Sequence, residues 1–177
     1  MHYAYRGDGK MVSKTVGEES RWVYDYDPRG RLRSATEELS GVTTEYTYDD
    51  AGNAVGITEG AVETRLGYTE RGDVSWVRNG EGETTLFDYD GAGNLVRITD
   101  PGGAVTERQY DTRNRLEEIV YPGGARREFD YRADGSLASF SDETGHTWQY
   151  EYDPMGRVAT ERAPDGTERR FAREPGG

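Results

Sequence analysis

A chain of 177 residues with no cysteine has room for one ordinary domain or one repeat array, and neither disulfides nor thiolate metal sites stabilise it. Its formal net charge of −12 disfavours nucleic acid and anionic membrane surfaces as partners, because both demand clustered Lys and Arg. A hydrophobic content of 33% with that charge borders on disorder, yet the chain carries 24 Gly and 13 Tyr, and its aromatics recur at a fixed spacing that a disordered polar tract does not require.

Met1 to Arg6 lacks the apolar stretch of a signal peptide, and no run approaches the roughly 20 apolar residues that span a bilayer. The first unit has already begun at Tyr3 and Tyr5, which precede a turn at Gly9. The second places Tyr24 and Tyr26 before Asp27 and Gly30, and the third Tyr46 and Tyr48 before Asp49 and Gly52. Leu66 and Tyr68 precede Gly72 in the fourth, and Phe87 and Tyr89 precede Asp90 and Gly93 in the fifth. The sixth has Arg108 in the outer aromatic slot, then Tyr110, Asp111 and, in place of the glycine, Asn114. Phe129 and Tyr131 lead to Gly135, Tyr150 and Tyr152 to Asp153 and Gly156, and Phe171 with Arg173 to Gly177.

The turn residues follow one another at 20 to 22 residues, and Asn is the non-glycine residue that best tolerates the left-handed backbone region. The period is therefore conformational. Aromatic residues two apart share one face of a strand, and the Asp after the second can bind backbone N–H groups and start a turn. The chain returns through Leu32, Val74, Leu95, Leu116, Leu137 or Val158, followed three residues on by Ala35, Val77, Ile98, Ile119 or Phe140 in most units. An interval of three breaks strict alternation, so either a bulge lies in this return strand or both its faces are partly covered. Second turns are marked by Pro101-Gly102-Gly103, Pro122-Gly123-Gly124, Thr144-Gly145 and Pro164-Asp165-Gly166. Each unit reads as strand, tight turn, strand, looser turn, and Gly or Pro interrupts every candidate helix.

The string from Tyr150 to Val158, Tyr-Glu-Tyr-Asp-Pro-Met-Gly-Arg-Val, resembles the YD repeat, also called the RHS repeat, whose pattern is Tyr-x-Tyr-Asp-x-x-Gly-Arg-Leu with a later Asp-Gly. Tyr24 to Leu32 is a second close match, and the likeness covers residues 1–177 as a single array of eight units plus the start of a ninth, expected to be truncated at both ends. The family includes bacterial Rhs polymorphic toxins, shell components of insecticidal toxin complexes, and teneurins. The resemblance implies an all-β fold of antiparallel hairpins in a curved, spiralling sheet strip. It further implies a structural segment that encloses or presents another polypeptide, a toxin cargo in the bacterial relatives, with further YD repeats of the same or a neighbouring polypeptide as partners and a secreted or cell-surface location. A second role stays open: a carbohydrate-binding or adhesion module using exposed aromatic rows, for which Trp22, Trp76 and Trp148 should be exposed.

Departures from the pattern are Arg6, Thr69 and Arg132 in the turn-Asp slot, Arg108 in the aromatic slot, and a unit from Gly52 to Gly72 that is one residue short. The Asp-Pro-x-Gly-Leu region tied to autocleavage in bacterial relatives has no counterpart after Gly166, and the Asp-Pro pairs at Asp27 and Asp153 read as turns. Arg6-Gly7-Asp8 and Arg71-Gly72-Asp73 spell an adhesion tripeptide that the repeat glycine already explains at Gly72. Asp25-x-Asp27-x-x-Gly30 and Asp88-x-Asp90-x-x-Gly93 begin like calcium loops but put Arg29 and Ala92 in the third ligand slot and Thr36 and Thr99 where the twelfth-position carboxylate belongs. Gly91-x-Gly93-x-x-Val96 lacks the third glycine of a dinucleotide loop. His2 and His146 have no second His or Cys nearby, so no catalytic residue, cofactor or metal is assigned and the chain is read as no enzyme.

Overall fold

A computed structural model describes residues 1–17 and 20–171, so the ninth-unit positions Arg173 and Gly177 lie outside the described residues. The described residues form strands and turns without helix, in two compact units, Met1–Leu86 and Phe87–Gly177. Unit 1 carries β1 (His2–Tyr5), β2 (Met11–Val16), β3 (Ser20–Tyr26), β4 (Leu32–Glu37), β5 (Thr43–Tyr48), β6 (Ala54–Glu59), β7 (Val62–Tyr68) and β8 (Val74–Arg78). The boundary falls within β9 (Thr84–Tyr89). Unit 2 continues with β10 (Leu95–Thr99), β11 (Val105–Tyr110), β12 (Leu116–Val120), β13 (Arg126–Tyr131), β14 (Leu137–Ser141), β15 (Thr147–Tyr152), β16 (Val158–Arg162) and β17 (Glu168–Arg170). Within each unit every strand pairs antiparallel with its chain neighbour, as short connections dictate.

The interval of three resolves to a bulge. Asp25 pairs Ser34 but Tyr26 pairs Leu32, which leaves Arg33 unpaired in the return strand. The same skip recurs at Val55, Ser75, Glu117, Ala138 and Ala159. The extra residue restores Leu32 and Ala35 to the face that carries Tyr24 and Tyr26, and each bulge adds local right-handed twist.

The expected contrast between tight and looser turns is not found. At the first turn of a unit Gly30 N–H donates to Asp27 C=O at 2.8 Å and Asp27 N–H to Arg31 C=O at 2.9 Å; at the second, Gly103 and Asp100 repeat the pattern with Ala104 at 3.0 and 2.9 Å. Both are four-residue turns whose last residue is left-handed, a hairpin closure that relieves the twist mismatch of the strands. Gly30 and Gly103 have φ of 80° and 85°, and Asn114, at 60°, is the positive-φ non-glycine residue among those described. Pro28, Pro101, Pro122, Pro154 and Pro164 stand at the second turn position, where a fixed φ costs nothing.

Two of the fully described connections differ and account for the irregular intervals. Between β4 and β5, Glu37 N–H reaches Val42 C=O at 2.9 Å, one residue beyond the usual partner. Between β6 and β7, Glu59 pairs Val62 directly across Gly60 and Ala61, a two-residue turn that makes the unit short.

Candidate functional site

Register and bulge give each unit's sheet two unlike faces. One carries the aromatic columns: in unit 2, Phe129 faces Phe140 and Phe140 faces Trp148, with ring centroids 5.5 and 5.4 Å apart. The other is polar, as in the row Asp130, Ser139, Gln149, Arg162, and Thr36 and Thr43 join hydroxyls across it at 2.9 Å. Neither face is covered by a second layer: Ala35, 7% exposed, is the buried apolar residue among those described.

What holds hairpin to hairpin is a set of bonds repeated along the array. The second Tyr of a unit donates its hydroxyl to the carbonyl of the first return-strand residue of the preceding unit. Tyr26 reaches Met11 at 2.8 Å, Tyr48 Leu32 at 2.7 Å and Tyr68 Ala54 at 2.6 Å. Tyr110, Tyr131 and Tyr152 do the same to Leu95, Leu116 and Leu137 at 2.9 to 3.0 Å. Burial against its own face raises the Tyr131 phenol above its ordinary range, so the hydroxyl stays a donor at neutral pH.

The motif arginine reaches the other way. Asp27 accepts Arg31 N–H at 2.8 Å and the Arg31 guanidinium Nε at 2.7 Å, and Asp111 and Asp153 hold Arg115 and Arg157 likewise. So oriented, the Arg31 guanidinium lies 4.4 Å from the Tyr48 ring centroid and donates to Asp49 C=O at 3.2 Å; Arg115 lies 4.5 Å from Tyr131. Those carboxyls sit below the usual range, first because the backbone N–H groups of Arg31, Arg115 and Arg157 bind them. Where Asn follows the glycine, as at Asn53 and Asn94, the same Asp oxygens take its N–H and side-chain amide.

The residues singled out from sequence are placed as follows. Asp27 and Asp90, the calcium-loop look-alikes, spend their oxygens on their own turns, and among the described residues no cluster of three His, Asp or Glu could hold a metal. In the first adhesion tripeptide Arg6 clamps Asp8 through Nε at 3.1 Å and Nη2 at 2.5 Å, holding that carboxyl at about 2. His146 ends an exposed turn, its Nδ1 2.5 Å from Thr144 Oγ1, beside an open hollow bordered by Trp148 and Pro164. No helix among the described residues is long and apolar enough to cross a membrane.

Trp22, Trp76 and Trp148 are half-buried, between the exposure a stacking platform needs and the cover a wall predicts. Trp76 differs in kind. It lies on the polar face, opposite Gly67, where a Cβ would stand 1.9 Å from the indole Nε1, so the ring rests on bare backbone.

A family model described as RHS Repeat matches residues 26–61, 68–105, 89–126 and 131–168. Comparison with curated proteins gives no match. Among solved structures the chain is similar to the Photorhabdus luminescens Tc holotoxin pore with a TccC3 mutation, at 17% identity and TM-score 0.58, over 96% of this chain and 11% of that one. It is similar also to the TcdB2-TccC3-Cdc42 structure, at 17% identity and TM-score 0.60, over 99% of this chain and 12% of that one. The chain thus spans about one-eighth or less of the length of these structures, and the likeness is one of fold.

Proposed function

This chain is a member of the RHS repeat family, and we propose that it is a wall segment: a single array of repeat sheet that encloses or presents another polypeptide and performs no catalysis of its own. The observation that carries this reading is the direction of the bonds repeated from hairpin to hairpin. Tyrosine hydroxyls bind the hairpin before and motif arginines the hairpin after, so the repeated polar side chains are spent within the sheet and not on a converging pocket. A sheet tied in this way needs no second layer to define its hairpins, and both faces are left for other polypeptides.

The partners that fit are further repeats of the same type and a polypeptide cargo. One solved structure of similar fold is described as a holotoxin pore, which supports a toxin as the kind of cargo and a secreted or cell-surface place of action. The test is limited proteolysis of the array expressed with its natural flanks. A downstream domain should resist protease while joined to the array and be cut readily when freed from it; equal cleavage in both forms would overturn the wall reading.

A further inference from the structure

The connection between β8 and β9 is the turn in which Asn79 fills the position held elsewhere by Asp27, Asp90 or Asp111, and the next residue is Gly80. Asn79 N–H donates to Glu83 C=O at 2.9 Å and Gly82 N–H to Asn79 C=O at 3.0 Å. The carboxamide Oδ1 accepts Glu81 N–H at 3.1 Å and Glu83 N–H at 2.9 Å, and Nδ2 donates to Glu83 Oε2 at 2.9 Å. Asn79, Gly80 and Glu81 are all exposed.

We propose that Asn79 is a site of spontaneous modification, where the side-chain amide is converted to aspartate and isoaspartate. Asparagine is chemically labile, and the reaction needs an unhindered backbone nitrogen next to it. Gly80 supplies one: it has no Cβ to obstruct approach, and its N–H has no hydrogen-bond acceptor among the described residues. Two N–H groups on Oδ1 draw electron density from the Asn79 Cγ and make it the electrophile. The Gly80 nitrogen, after losing its proton to water or hydroxide, forms a bond to Cγ. The Cγ–Nδ2 bond breaks, and Nδ2 leaves with a proton from water as ammonia. Water then opens the cyclic imide at either carbonyl, giving aspartate or a chain routed through the side chain.

The fold also explains why this glycine stands where it does. The short Gly60-Ala61 turn brings Val62 alongside, and a Cβ on residue 80 would lie 2.7 Å from Val62 Cγ1. Packing keeps position 80 a glycine, and the glycine keeps Asn79 reactive. Asn53, Asn94 and Asn114 are followed by Ala54, Leu95 and Arg115, whose Cβ atoms hinder the same attack. Conversion replaces the donor facing Glu83 by a second carboxylate, so the hairpin tip gains negative charge beside Glu81 and Glu83.

The experiment is incubation of the purified chain, without added enzyme, at mildly acidic and mildly alkaline pH, followed by peptide mass mapping. The peptide holding Asn79 should gain the mass difference of a hydroxyl for an amide and split into two isomers, faster at the higher pH, before peptides holding the other three asparagines change. Asn79→Asp, which bears the product from the outset and the residue its counterpart turns use, should fold and show no further shift at this peptide. Conversion of Asn79 no faster than that of the other asparagines, or none under conditions that convert it in the denatured chain, overturns the proposal.

Discussion

Two turns that do the same work with different residues show what the repeat requires. At Asp111 to Arg115, Asp111 accepts Arg115 N–H at 2.9 Å and the guanidinium Nε at 2.6 Å, and Asn114 takes the left-handed position. At Thr69 to Asp73 a hydroxyl accepts Arg71 N–H and Asp73 N–H, both at 3.2 Å, and Gly72 takes the left-handed position at φ 88°. The main-chain bonds are alike: Thr69 N–H to Asp73 C=O is 2.8 Å, as is Asp111 N–H to Arg115 C=O. Left-handed backbone at the fourth position is therefore the requirement, and the charged clamp is an addition that the Thr69 turn does without.

The sharpest test of that ranking is Gly72→Val. No atom lies within 4 Å of the Cβ it would add, so its cost is backbone strain alone, about 2 kcal/mol in a denaturant midpoint series. An unchanged midpoint would break the comparison at its base. Next come Tyr131→Phe and Tyr68→Phe, each of which removes one hydroxyl bond between hairpins, at 2.9 and 2.6 Å. Each should destabilise by about 1 kcal/mol, whichever kind of turn lies beside it.

Acid separates the two turns more gently. The Asp111 carboxyl lies below its usual range because Arg115 N–H and then its guanidinium bind it. A depressed folded-state value means the stabilisation is complete above the unfolded value of about 4 and is lost as pH falls through the folded one. Asp111→Asn should flatten the loss of the β-sheet circular dichroism signal in that window, whereas Thr69→Ala should leave its slope unchanged. The smallest effect belongs to Asn114→Gly, a gain of a few tenths of a kcal/mol or none, because glycine takes φ of 60° without a Cβ but adds freedom to the unfolded chain. A clear loss would mean that the Asn114 side chain, which accepts Asn94 Nδ2 at 3.1 Å, matters more than its backbone.

The hairpin period, the face of the tyrosines and the left-handed role of Asn114 were legible in the sequence, because each is local and leaves a residue type behind. The interval from Leu32 to Ala35 showed that alternation breaks but not how, since a bulge and a two-sided strand demand the same spacing. The tyrosine bonds left no trace. Their acceptors are main-chain carbonyls such as Leu116, about fifteen residues away, and a carbonyl carries no side-chain signature. Arg31 stood in the family pattern without a task, which emerges once Asp27 is seen to aim it at Tyr48 in the following unit. Trp76 was grouped with Trp22 and Trp148, although pairing with Gly67 places it on the opposite face; the glycine was the available clue.

The lack of a covering layer has a thermodynamic signature. Among the described residues Ala35 is the apolar side chain almost wholly withdrawn from water, while the rest of the aromatic face is only part-buried, so melting a hairpin newly hydrates less apolar surface per residue than melting a two-layer core. Heat capacity of unfolding arises from that hydration, and it should fall below the roughly 12 to 15 cal/mol/K per residue of ordinary globular domains. A small value flattens the curve of stability against temperature. The isolated array should then be only modestly stable at its best, yet lose that stability slowly on cooling, where proteins with thick oily interiors weaken.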